Sequence, residues 1–173
     1  MSFYSFLSSE SLFFESCNKI CRLNSTARYS GAVGDNTVIP RLLPHFIDRR
    51  MRVLDYGAGK KAIHTKKLRA KGYNVIPYDI GENRHNNDAL NNKYDCVFLS
   101  NVINIQESKH DIRQILKQVK LLLKKPNGFL LLNYPSDPRR LNIGIEEIKV
   151  ILRNTLGEKV YPVSPNVFLY LRG

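Results

Sequence analysis

Cysteine is scarce in this chain: three among 173 residues, at positions 17, 21 and 96. Three cysteines cannot all pair within one chain, so no disulfide framework carries the fold. Cys17 and Cys21 stand close together, but no second Cys or His pair follows at zinc spacing, and no metal is expected. Cys96 lies inside an apolar run and reads as a buried thiol. All three are expected to be reduced, which argues for the cytoplasm. No apolar run approaches the roughly 18 residues that a membrane span needs, so no membrane partner is expected. Met1 to Ser9 has no basic residue ahead of its apolar positions and makes a poor secretory signal. Internal repeats and long low-complexity tracts are missing too. Acid is short: 15 Asp and Glu face 27 Lys and Arg, a net charge of +12. Such an excess says little about fold but favours polyanionic partners, nucleic acid first among them.

What is there suits one globular domain. Hydrophobic residues make up 43% and charged residues 24%, enough apolar surface for a core and too little charge bias for wholesale disorder. Residues 1–50 read as a helical and loop extension packed on the core, with a helix over Ser9 to Arg22 and a short one over Thr37 to Arg50, limited by Pro40 and Pro44. Residues 51–173 read as the main domain. Strands are expected over Arg52–Tyr56, Asn74–Tyr78, Asp95–Leu99 and Phe129–Asn133, with helices over Ala62–Lys71, Ser108–Lys124 and Ile145–Leu156. Lys159–Val163 and Val167–Leu171 form a terminal hairpin about Ser164-Pro165-Asn166. Continuous apolar strands alternating with helices predict an α/β sandwich: a mostly parallel sheet, helices on both faces, an antiparallel hairpin at one edge.

Ligands of such sheets bind outside the carboxyl ends of the strands. There the first strand runs Val53-Leu54-Asp55-Tyr56-Gly57-Ala58-Gly59. The two glycines permit a tight turn and close approach of a ligand, and the next helix offers free N–H groups. Asp79 ends the second strand about twenty residues on, where a carboxylate can accept both hydroxyls of a ribose. Gly57-x-Gly59-x-x-Ala62 could pass as a nicotinamide dinucleotide loop. Asp55, two residues before the first glycine, suits an ammonium better than a pyrophosphate.

These residues resemble motif I of the class I S-adenosylmethionine-dependent methyltransferases, a Rossmann-like family. The resemblance runs on through most of residues 51–171. Asp79 matches the ribose-binding acid. Asp88-Ala89-Leu90, followed by Tyr94-Asp95-Cys96-Val97-Phe98-Leu99-Ser100, is similar to the adenine-contacting loop and the strand behind it. Leu121 to Gly128 before Phe129 is similar to the family's leader helix and Pro-Gly turn. The resemblance implies S-adenosyl-L-methionine as cofactor. Asp55, Tyr56, Gly57, Ala58 and Gly59 would line its methionine part, with Asp55 meeting the ammonium. Asp79 and Ile80 would meet the ribose, Asp88 the adenine amino group, and the Ala89 N–H a ring nitrogen. Ser100 would close the site. Arg28, in the segment ahead of the core, could meet the methionine carboxylate.

Two departures stand out. Lys61 replaces the usual third glycine. Residues 80–93 are also too few for the helix and strand that normally separate the second strand from the adenine-contacting loop and the next strand, so one helix–strand unit is expected to be shortened or missing. That would leave Gly81 to Asn92 mostly loop and the adenine pocket open.

The acceptor is less legible. The segment after the third strand, Ser100-Asn101-Val102-Ile103-Asn104, faces the transferred methyl in this family, and Ser100, Asn101 and Asn104 are the catalytic candidates. The Asp/Asn-Pro-Pro-Tyr motif of enzymes that methylate exocyclic amines is absent there. No Cys is placed to attack a pyrimidine. Asp95, His110 and Tyr134 are further candidates for a base. Basic residues cluster at Arg49-Arg50-Arg52, Lys60-Lys61, Lys66-Lys67-Arg69-Lys71 and Arg139-Arg140, and Tyr78 and Tyr134 could stack on bases beside them. The expected function is methyl transfer to nucleic acid or another anionic acceptor. The alternatives are a non-catalytic domain of the same fold that binds nucleic acid or a protein assembly, and an enzyme that cleaves S-adenosylmethionine.

Overall fold

A computed structural model describes residues 37–80, 85, 87–136, 138 and 140–173. The expected helix over Ser9 to Arg22, Cys17, Cys21, Arg28 and Arg139 lie outside these residues. Six strands form one sheet: β1 (Arg52–Tyr56), β2 (Asn74–Tyr78), β3 (Cys96–Leu99), β4 (Phe129–Asn133), β5 (Val160–Ser164) and β6 (Val167–Leu171). Their spatial order is β2-β1-β3-β4-β6-β5. The first four run parallel, and β6 and β5 are antiparallel additions, the terminal hairpin the sequence predicts.

Among the described residues four α-helices flank the sheet: α1 (Val38–Leu42), α2 (Ile63–Ala70), α3 (Lys109–Leu122) and α4 (Ile145–Leu156). Side chains alternate across the pleat and build two cores. On one face Leu54, Val97, Leu99, Leu130 and Leu132 meet Ile112, Leu116 and Val119 of α3 and Ile148 and Leu152 of α4. On the other, Val53, Val75, Cys96, Phe98 and Leu131 meet Leu68 of α2 and Ile39, Leu43 and Ile47 from α1 and the turn after it. Pro44 starts a 3₁₀ turn over Leu43–His45, which is why the expected helix over 37–50 is short. Helix α3 begins on a Ser108 N-cap: Ser108 Oγ accepts the Asp111 N–H and donates to the Asp111 carboxylate. Cys96 is a free, fully buried thiol, and burial pushes its pKa well up.

The shortened connection is real. Between β2 and β3 the described residues hold only a 3₁₀ turn, Asn87–Asn91, and β2 is left as an edge of the sheet. An open edge invites pairing with another strand. Here it is closed locally. The Val75 N–H donates to Tyr73 O at 3.2 Å, the Val75 carbonyl accepts Arg69 Nε at 2.6 Å, and Pro77 has no N–H to offer.

Candidate active site at the switch point of the sheet

Strand β1 lies between β2, reached through α2, and β3, so the chain leaves to opposite sides there and a crevice opens at the carboxyl ends. The glycine turn sits at that point. The Gly57 and Ala58 N–H groups donate to Tyr78 O at 2.8 and 3.0 Å, tying β1 to the end of β2. Gly57 has φ +84°, and a Cβ there would lie 2.5 Å from Val102 Cγ2. Only glycine fits, for conformation and for space. The Ala62 N–H closes the turn on Gly59 O at 3.0 Å, with Ala62 itself left-handed at φ 45°.

Two buried carboxylates flank the turn. Asp55 is 1% exposed. Its Oδ2 accepts Thr65 Oγ1 at 2.7 Å, while Oδ1 is buried without a hydrogen-bond partner. Desolvation is the main reason its pKa is pushed up to about 7, and the nearby Asp79 charge adds to it. A buried acceptor with an open lone pair fits a ligand's ammonium. Asp79 Oδ2 accepts the Gly59 N–H at 2.5 Å, and Oδ1 accepts the Ile80 N–H at 2.7 Å. Burial raises its pKa, against the pull of those two N–H groups and of His85. Each oxygen keeps a second lone pair, so two ribose hydroxyls can still be accepted.

The turn after β3 forms the facing wall. Ser100 Oγ and Asn104 Oδ1 are buried without hydrogen-bond partners. Asn101, left-handed at φ 58°, is held by Asn133 at the end of β4. Asp88 is exposed in the 3₁₀ turn of residues 87–91, and Ala89 beside it is buried, its carbonyl accepting the Tyr94 hydroxyl at 2.8 Å. Tyr56 belongs to the crevice through its backbone alone. Its ring turns into the core, where the hydroxyl donates to Gln118 Oε1 and the ring lies 4.9 Å from that of Tyr78.

Several candidates fall elsewhere. Tyr78 and Tyr134 are 3% and 1% exposed, so neither ring can stack on a base. The Tyr134 hydroxyl donates to the carbonyls of Leu141 and Ile143. Asp95 stands just before β3, at the opposite end of the sheet, bound to the Arg52 N–H and Lys124. His110 is exposed on α3. Lys61, in place of the family's usual third glycine, is exposed. Sequence reasoning missed Thr65, His85, Val102 and Asn133. Asn133 had a signal: a lone amide ending the apolar run Phe129–Leu132 at a ligand-bearing strand end.

Sheet order and the glycine turn at the switch point define a Rossmann-like α/β domain. A methyltransferase-domain family model matches residues 31–162. The chain belongs to that family, the class I S-adenosylmethionine-dependent methyltransferases that its motifs resemble. No curated protein matches it by sequence. Among solved structures it is similar to a TehB-like S-adenosylmethionine-dependent methyltransferase from Corynebacterium glutamicum, at TM-score 0.59 and 12% identity over 84% of this chain and 93% of that one. It is similar also to magnesium protoporphyrin IX methyltransferase from Synechocystis PCC 6803 with bound S-adenosylmethionine, at TM-score 0.57 and 15% identity over 91% and 97%. Human N-acetylserotonin methyltransferase in complex with S-adenosylmethionine matches at TM-score 0.55 and 14% identity over 79% and 52%.

Proposed function

We propose that this protein transfers a methyl group from S-adenosylmethionine to a nucleophile on a nucleic acid. The observation that carries the cofactor assignment is Asp55: a fully buried carboxylate, beside a turn only glycine can make, with one oxygen awaiting a donor. Asp55 would hold the ammonium, the Gly57–Gly59 backbone would face the methionine part, and Asp79 with Ile80 would take the ribose. Asp88 and the Ala89 N–H would meet the adenine. When bound, the cofactor supplies an electrophilic methyl on a sulfonium, and transfer needs in-line approach of the acceptor. Ser100 Oγ and Asn104 Oδ1, polar and unpartnered in the wall after β3, are suited to orient that acceptor. The amide of Asn101 is already engaged, so its part is to shape the wall.

The acceptor assignment rests on charge and its placement. Lys60, Lys61 and Lys66 are exposed beside and in the first turn of α2, the helix that begins at the glycine turn, while Lys71, Arg49 and Arg50 are exposed at its far end. Helix α2 has no acid in its first turn and carries none along its length. This face can hold a phosphate backbone while a base reaches the crevice. A reduced, buried Cys96 is in keeping with a cytoplasmic setting. Among the described residues no helix is long and apolar enough to cross a membrane, and no cluster of His, Cys, Asp and Glu could hold a metal.

Calorimetry with S-adenosylmethionine and its demethylated product tests the cofactor. Incubation with DNA and RNA and mass analysis of the products tests the reaction. A methylated nucleoside supports the proposal, and cleaved cofactor without a methylated acceptor replaces it with a cleaving enzyme. No cofactor binding replaces it with a non-catalytic domain.

A further inference from the structure

We propose that His85 is a positioning residue of the cofactor site, fixing the carbonyl of Gly59 while Asp79 fixes its N–H. The inference rests on the reading of Gly57–Gly59 and Asp79 as the cofactor cradle.

Gly59 is left-handed, at φ +69°, and has more backbone freedom than any other residue type. Both sides of its Cα are restrained here. The peptide before it is held by the bond from the Gly59 N–H to Asp79 Oδ2 at 2.5 Å. The peptide after it is held at the carbonyl, which accepts the Ala62 N–H at 3.0 Å and His85 Nε2 at 2.7 Å. The acceptor is a carbonyl, so the imidazole carries its proton on Nε2. Through Gly59, whose N–H is bound to Asp79 Oδ2, His85 also helps to place the ribose acid. One side chain thus orders the turn and, through Gly59, the ribose acid bound to it. It comes from the connection between β2 and β3, whose described residues hold no helix–strand unit. His85 therefore gives that short connection a role at the nucleoside end of the site.

The test is calorimetric binding of S-adenosylhomocysteine and of adenosine to the full chain and to His85→Ala, His85→Gln and Asp79→Ala, with a thermal melt of each. Loss of one hydrogen bond predicts a three- to tenfold weaker affinity, roughly, in His85→Ala. Both ligands should weaken alike, because the residue acts at the nucleoside end. His85→Gln retains an N–H donor and should recover most of the affinity, and the melting midpoint of His85→Ala should stay near that of the parent. Parental affinity in His85→Ala alongside weakened Asp79→Ala overturns the inference and leaves the cofactor cradle standing. No rescue by Gln, or a fall in melting midpoint that accounts for the weaker binding, overturns it as well. Failure of the parent to bind either ligand overturns the cofactor reading itself.

Discussion

Asn101 and Asn133 exchange two hydrogen bonds across the carboxyl ends of β3 and β4. The Asn101 N–H donates to Asn133 Oδ1 at 2.8 Å, and Asn133 Nδ2 donates to Asn101 Oδ1 at 2.7 Å. The pair holds Asn101 in a left-handed conformation, and the next residue, Val102, packs against Gly57. A residue at the end of β4 thereby sets the distance between the wall after β3 and the glycine turn. Asn133→Ala should lose about 1–2 kcal/mol of stability in urea unfolding, since it strands a backbone N–H and removes the restraint on Asn101. Asn133→Asp keeps the acceptor for that N–H and should lose less. Equal stability of Asn133→Ala and parent would show that the pair does not hold the turn.

Asp55 predicts an opposition between stability and binding. Its folded pKa lies above the unfolded one, so the folded state binds the extra proton between about pH 4 and pH 7. Stability from this group is therefore greatest in acid and falls as pH rises through that window. A shift from 3.8 to about 7 corresponds to a cost on the order of 4 kcal/mol above pH 7, as an upper bound. Asp55→Asn should melt higher than the parent at pH 8 and show little gain at pH 4. It should bind S-adenosylhomocysteine more weakly, having lost the charge proposed to meet its ammonium. Parent affinity should rise from pH 6 to 7.5, and that rise should vanish in Asp55→Asn. A flat parent profile would remove Asp55 from the ammonium site.

Asp79→Ala removes two hydroxyl acceptors and the anchor of the Gly59 N–H. Hydrogen bonds to a charged group are worth about 1.5–3 kcal/mol, so cofactor affinity should fall roughly ten- to a hundredfold in calorimetry. Unchanged affinity would place the ribose elsewhere.

The closed edge of β2 predicts a monomer-protecting role for Arg69 and Pro77. Replacing both, as Arg69→Ser with Pro77→Thr, frees the Val75 carbonyl and adds an N–H on the same edge strand. Light scattering after size exclusion should then show self-association that the parent lacks. Identical elution of the two proteins would mean that the edge is covered by other means.

The basic face of α2 predicts salt-dependent binding. Lys66→Glu with Lys71→Glu should weaken DNA and RNA binding across sequences and flatten the salt slope, while cofactor affinity stays the same. Fluorescence anisotropy at several salt concentrations reads both. A parent that binds neither polymer at low salt would move the acceptor assignment to a small molecule.

Local pattern alone determined the strands, the helices, the hairpin and the glycine turn. Apolar periodicity and turn residues act within a few positions of themselves, so Val53-Leu54 before Gly57 and the stripe of α3 are readable in one dimension. The short connection was legible too, because chain length bounds what residues 80–93 can build. Tertiary structure alone decided which side chains those elements bring together. Tyr78 and Tyr134 look available for stacking in the sequence, yet packing buries both. Asp95 is adjacent in sequence to the strand leading to the crevice, but stands a strand's length away from it, paired with Lys124. The partners that define the site join positions far apart: Asp55 with Thr65, Gly59 with Asp79 and His85, Asn101 with Asn133. Such contacts depend on strand order and register, and those are set by the burial of both sheet faces at once, a condition on the whole chain that no segment of it contains.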